Sequence, residues 1–186
     1  EVTGLDAAVA EDPTTGTYGG INRASWSFWR NYAFDANVDG GAAISSTNIQ
    51  TYMNNVWANL VRGSDRPDLI VMDNVMWSYY MGSLQPQQRF TDPAQANLGF
   101  PTIKFMDADV VLDGGIGGAC PTKTAFFLNT KYIYWRPHRD RNMVPLSPDR
   151  RYAINQDAEV QILAWAGNLT CSGAQFQGRL FDTTAP

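Results

Sequence analysis

The segment "STNIQTYMNNVWANLVRG" constrains the fold more than any other part of the chain. Ile49, Tyr52, Met53, Val56, Trp57, Leu60 and Val61 recur at i, i+3, i+4 and i+7 without a miss, which is the pattern of a helix with one apolar face. Ser46 or Thr47 is placed to cap its start and Gly63 to end it. Burying that face at roughly 1.5–3 kcal/mol per side chain outweighs intrinsic propensity, so the helix is expected to lie on a sheet. A short buried strand follows at once in "PDLIVMD". Asp73 then stands where it can cap a second helix, with Val75, Met76, Tyr79 and Tyr80 on one face. Helix, strand and helix in quick succession give an α/β (α+β) class.

The rest of the chain reads as strands and loops. "TIKFMDADVVLD" is two short strands about a turn near Asp107 and Ala108, "DGGIGGACP" a glycine-rich loop, and "TAFFLNTKYIYW" two more strands. A long strand is expected from about Asp157 to Thr170 and a last one in "FQGRLF". The first 45 residues are rich in turn chemistry, with Trp26, Phe28, Trp29, Tyr32 and Phe34 crowded between turns as an irregular segment clamped onto a core.

Size and charge narrow the function. A chain of 186 residues forms one domain, or one domain plus the edge of another, and needs neither disulfide nor metal to be stable. Charged residues make up 17% of it, below the roughly 25% of an ordinary soluble domain, which leaves room for surface normally covered by partners. A net charge of -4 argues against strong nucleic-acid binding. No apolar run approaches the ~18 residues of a membrane span. Cys120 and Cys171 lack the spacing of a zinc site or redox pair and are expected to be free, buried thiols. "NLT" at Asn168 matches a glycosylation sequon by chance.

The motifs that suggest chemistry fail one by one. "HRD" at His138–Asp140 has Pro145 where a kinase catalytic loop needs its magnesium-binding Asn. "GGIGGAC" lacks the third glycine of a dinucleotide loop and the lysine of a P-loop. His138 is the one histidine, and Arg136, Arg139 and Arg141 beside it oppose the imidazolium that a catalytic triad must form. Asp107, Asp109 and Asp113 do not space as a calcium loop, because Val111 interrupts them. No catalytic residue, cofactor or metal is expected. Rival readings are a small cytosolic hydrolase and a surface module that binds a receptor or carbohydrate through exposed Trp.

Five blocks carry a resemblance: "TYGGINRASWSFWRN", "DLIVMDNVMWSYYMGSLQPQQRF", "GFPTIKFMDADVVLD", "FFLNTKYIYWRPHRDRN" and "AEVQILAWAGNLTCSGAQFQGRL". In this order they resemble a tailed-bacteriophage major capsid protein. The resemblance implies the Hong Kong 97-type capsid fold, with an axial (A) domain plus carboxy-terminal strands of a peripheral (P) domain. Residues 1–45 would be the loop-rich aromatic segment joining P and A, 46–135 the A domain, and 136–186 the closing strands of the P domain. No stretch before Gly16 is long enough for the family's amino-terminal arm, extended loop and spine helix, so a carboxy-terminal portion of a longer protein is expected.

The implied function is that of a structural protein of the virion. It would be assembled in the bacterial host cytoplasm from copies of itself in pentameric and hexameric capsomers, with scaffolding or decoration proteins as further partners. The icosahedral shell would enclose DNA without sequence-specific binding. Guanidinium forks suit fixed contacts between subunits, so Arg136, Arg139, Arg141, Arg150 and Arg151 are subunit-contact candidates, together with Arg89 and Phe90 at the end of "LQPQQRF".

Overall fold

The computed structural model describes residues 2–84, 103–146, 151–152 and 159–184, without side chains at 151, 152 and 159. Its helices are α1 (Leu5–Ala8), α2 (Ile49–Leu60) and α3 (Asn74–Leu84). Its strands are β1 (Thr17–Tyr18), β2 (Ile21–Asn22), β3 (Tyr32–Asp35), β4 (Leu69–Met72), β5 (Ile103–Phe105), β6 (Ala108–Leu112), β7 (Thr124–Leu128), β8 (Ile133–Pro145), β9 (Arg151–Tyr152), β10 (Glu159–Val160), β11 (Leu163–Cys171) and β12 (Gly178–Phe181).

Six strands form the central sheet in the order β3-β12-β7-β4-β6-β5. Strands β3, β12, β4 and β6 run one way, and β7 and β5 run against them. The period of two in each strand distributes side chains between two faces. On one face, Phe34, Ile70, Met72, Val110, Ala125, Phe127 and Leu180 meet Ile49, Met53, Val56 and Leu60 of α2 and Met76 and Tyr80 of α3. The opposite face offers Phe126 and Leu128, covered by Ala8, Val9, Tyr18 and Cys171. All of β7 is therefore buried. α2 rides so close to β12 that a Cβ at Gly178 would lie 2.4 Å from Leu60 Cδ1, so that position has no room for a side chain.

The expected α2 appears, but both ends differ: it stops at Leu60 with Val61 as its C-cap, ahead of Gly63, and it starts later than expected. Asn48 is the N-cap and neither Ser46 nor Thr47 supplies a cap bond. Asn48 turns outward instead: its Oδ1 accepts from Ser45 N at 2.7 Å and its Nδ2 donates to Ala43 O at 2.8 Å. Asp73 does cap α3, accepting from Met76 N at 2.9 Å and Val75 N at 3.3 Å. Its Oδ2 also takes Lys123 N at 2.8 Å, tying the start of β7 to the end of β4.

The aromatic segment divides. Phe34 is core and Trp29 Nε1 donates to Tyr18 O at 2.9 Å, whereas Trp26 and Phe28 are more than half exposed, with Phe28 against the rings of Trp26 and Trp29. Only part of the cluster is clamped, because the 3-10 turn Ser27–Trp29 points successive side chains in different directions. The single strand expected from Asp157 to Thr170 is instead β10 and β11, separated at Gln161 and Ile162.

Polar clamps hold the segment before β1 over the second face. Arg179 of β12, almost wholly buried, donates to Asp6 Oδ1 at 2.6 Å and Glu11 Oε2 at 3.2 Å, and lies against the rings of Phe126 and Phe181. Arg23 donates to Ala7 O at 2.9 Å and Ala8 O at 2.7 Å, while Asn31 both accepts from Ala10 N and donates to Ala10 O.

Candidate subunit-contact surface

β7 and β12 do not end at the sheet. β7 passes through Asn129–Tyr132 into β8, and β11 returns through Ser172–Gln177 into β12, so β8 and β11 form an antiparallel ribbon standing off the core. At its root Tyr132 stacks on Phe176, with centroids 4.4 Å apart and planes at 9°. Tyr18 Oη accepts from Cys171 N at 3.1 Å, and Asn168 Oδ1 accepts from Thr3 N at 2.7 Å. Asp65 buttresses the same corner. It accepts from Lys131 Nζ at 3.0 Å and Tyr132 Oη at 2.9 Å, and these donors hold its carboxyl below the usual range.

Beyond the root the ribbon has little cover. Every residue of β8 after Ile133 is exposed, including Tyr134, Trp135, Met143 and Val144, and Leu163 on β11 is exposed too. A two-stranded ribbon with both faces wet is marginally stable alone. Its pairing is also interrupted. The register passes from Pro137↔Gly167 to Asn142↔Trp165, so His138, Arg139, Asp140 and Arg141 stand opposite Ala166 alone. Pro137 has no N–H to give a ladder, which suits it to the edge of a bulge.

The bulge is spanned by aromatic packing. The Trp135 and Trp165 rings stack at 5.0 Å and 14°. Gly167 makes the room: a Cβ there would lie 2.4 Å from Trp165 Cζ2 and 2.9 Å from Arg136 O.

The structure places the candidate residues as follows. Arg136, Arg139 and Arg141 all lie on β8 and are exposed, Arg136 on the root side of the bulge and Arg139 and Arg141 within it. Arg136 Nε donates to Thr170 Oγ1 at 3.1 Å, and its guanidinium lies 5.2 Å from the Tyr134 ring centroid. His138 is exposed, its Nδ1 accepting from Asp140 N at 3.2 Å within the bulge. Arg89, Phe90 and Arg150 lie outside the described residues. Arg151 is in β9, paired with Val160, and its side chain is not described. Among the described residues, no group of three or more His, Cys, Asp or Glu is arranged to hold a metal, and no helix is long and apolar enough to cross a membrane.

Both cysteines are free, as expected, but only Cys171 is buried. Cys120 is half-buried beside a cavity of about 210 Å³ that also touches Gly4, Leu5, Asp6 and Phe126. Burial, with Asp73 and Asp113 nearby, pushes its thiol up to about 12. Such a thiol is a poor nucleophile.

Sequence reasoning overlooked the Trp135–Trp165 stack with its glycine, and the clamps of Arg179 and Arg23. The first had a readable signal, since "AWAG" puts a glycine two residues after a tryptophan, one strand period away.

No family model matches the chain, and no curated protein matches it. Among solved structures, the chain is similar to one in the capsid asymmetric unit of cyanophage A-1(L), with a TM-score of 0.67 at 16% identity. The match covers 99% of this chain and 60% of that one. The chain thus has a mixed α+β, phage capsid-like fold with a mostly sheet core.

Proposed function

We propose that this chain is a structural part of a tailed-phage head, of the Hong Kong 97 type, that assembles with copies of itself in capsomers of an icosahedral shell around DNA. The observation that carries the reading is the likeness to a phage capsid chain over 99% of the present chain. In this reading residues 46–135 are the axial domain, 1–45 the segment that joins it to the peripheral domain, and 136–186 peripheral strands. The boundary at 135/136 falls on the ribbon; β12 departs from the scheme by lying between β3 and β7 in the central sheet.

Exposed apolar side chains on a thin ribbon fit burial against a neighbour, and weak contacts suffice when symmetry repeats them. Arg136, Arg139 and Arg141 are the contact residues. The protein works by association, without catalysis, in the virion. Electron microscopy of the protein expressed from its whole gene tests this: closed particles are expected, lost or sharply reduced with R139E/R141E. A protein that stays monomeric at high concentration would contradict the reading.

A further inference from the structure

The charge of the chain is unevenly placed. β8 carries Arg136, Arg139 and Arg141 against Asp140, so the rest of a chain with net charge -4 is more acidic than the whole. Acids stand at both ends of the central sheet, but at the amino ends of β4 and β6 Asp107 and Asp65 are paired with Arg66 and Lys131, whereas the other end is more uniformly acidic. Because β3, β12, β4 and β6 are co-directional, their carboxyl ends share an edge, bringing together Asp35, Asp39, Asp73, Asp113 and Asp182. Among the described residues Lys123 stands with them, its Nζ donating to Thr184 O at 2.7 Å.

Asp35 and Asp73 are buried, but Asp39, Asp113 and Asp182 reach solvent. Two glycine-flanked loops rise from the same edge, with Val38 and Ile116 at their tips and among the most exposed apolar residues described. A branched apolar side chain held outward beside acids is poorly placed for a free surface and well placed for an interface core with a polar rim.

We propose that the basic, apolar ribbon of one copy docks on this acidic carboxyl edge of a second copy, with Arg139 and Arg141 meeting the carboxylates and Val38 and Ile116 meeting the ribbon's exposed apolar side chains. The proposal rests on the self-association reading and specifies its surfaces. Opposite charge on two separate patches of one chain permits a head-to-tail contact, the kind that closes into rings when its rotation permits. Complementary fields also favour encounter of unlike patches and penalise ribbon-to-ribbon and edge-to-edge pairing.

The test uses single cysteines in the intact protein, R139C and V38C, with wild type as the control for the native thiols. Oxidising an equimolar mixture is expected to give a disulfide-linked heterodimer of R139C with V38C that neither variant forms alone. Association measured by sedimentation should weaken at least 10-fold between about 50 mM and about 0.5 M salt, as screening shortens the reach of these charges.

A second pair guards against a local effect of the thiols. R139E/R141E and D39R/D113R, each confirmed folded by circular dichroism, should fail to self-associate and recover association when mixed. An R139C homodimer in place of the heterodimer would overturn the proposal. Particles that assemble without the heterodimer would overturn this contact and leave the shell reading intact. A heterodimer without particles would support the contact and count against the shell. If wild type instead stays monomeric and shifts duplex DNA through Arg139 and Arg141, the ribbon's partner is nucleic acid and the proposal falls.

Discussion

The indole rings of Trp135 and Trp165 stack at 5.0 Å across a ribbon whose backbone pairing breaks between the residues that carry them. The stack crosses the gap left by the bulge and gives the outer ribbon one of its fixed points. It depends on Gly167, which leaves the Trp165 ring space above the backbone. Gly167→Ala is expected to displace that ring and lower ribbon stability by about 1–3 kcal/mol, the range for overpacking. Near-ultraviolet circular dichroism reports the coupled indoles directly; a spectrum unchanged by the substitution would contradict this account.

Arg179 makes a second prediction because its partners differ from it in exposure. The guanidinium is buried, while Asp6 and Glu11 are mostly in water. Arg179→Met keeps the stem between Phe126 and Phe181 and lets both carboxylates rehydrate, so the expected loss is about 1–3 kcal/mol. D6N/E11Q leaves a buried cation without a carboxylate and should cost more. Urea midpoints of the two variants test the order, and the reverse order would refute it.

Asp73 joins three elements through one carboxylate. Replacing it with Ala removes the cap of α3 and the bond to Lys123 N. A loss of about 1–2 kcal/mol is expected from the cap. Asp73→Asn should lose less, since the amide oxygen still accepts from Met76 N. Thermal melts of both variants check the ranking.

The alkaline limit of stability follows from two weak acids, the buried Tyr80 and the half-buried Cys120. Burial raises the Tyr80 phenol from 10.0 and the Cys120 thiol from 9.0, each to about 12. The folded state therefore holds protons that the unfolded chain releases. This contribution is fully present below the unfolded values and is lost as pH climbs from there towards about 12. Urea midpoints should be flat from pH 7 to 8 and fall from 9 to 11. Replacing Tyr80 by Phe and Cys120 by Ser should shallow the fall, and an unchanged slope would exclude these groups as its source.

Local patterns in the sequence located much of the sheet and its helices. The apolar spacing in α2 and the cap at Asp73 are short-range features, and the β5–β6 turn was legible as a break in apolar runs. What stayed hidden depends on residues far apart. Asp6 meets Arg179 across 173 positions, and the parallel pairing of β12 with β3 joins the two ends of the chain. At the contact surface, the arginines were visible as a cluster. The bulge that holds Arg139 and Arg141 was not, because it arises from the mismatch in length between β8 and the strand it pairs with.

The ribbon is one hairpin with β7 and β12, which are hydrogen-bonded neighbours within the sheet. A load on its outer end pulls both roots in the same direction, so the pair does not unzip. Resistance comes from β4 on one side and β3 on the other, whose ladder bonds are strained together in shear. The lever is thus anchored at the centre of the fold, where tension spreads over two ladders at once.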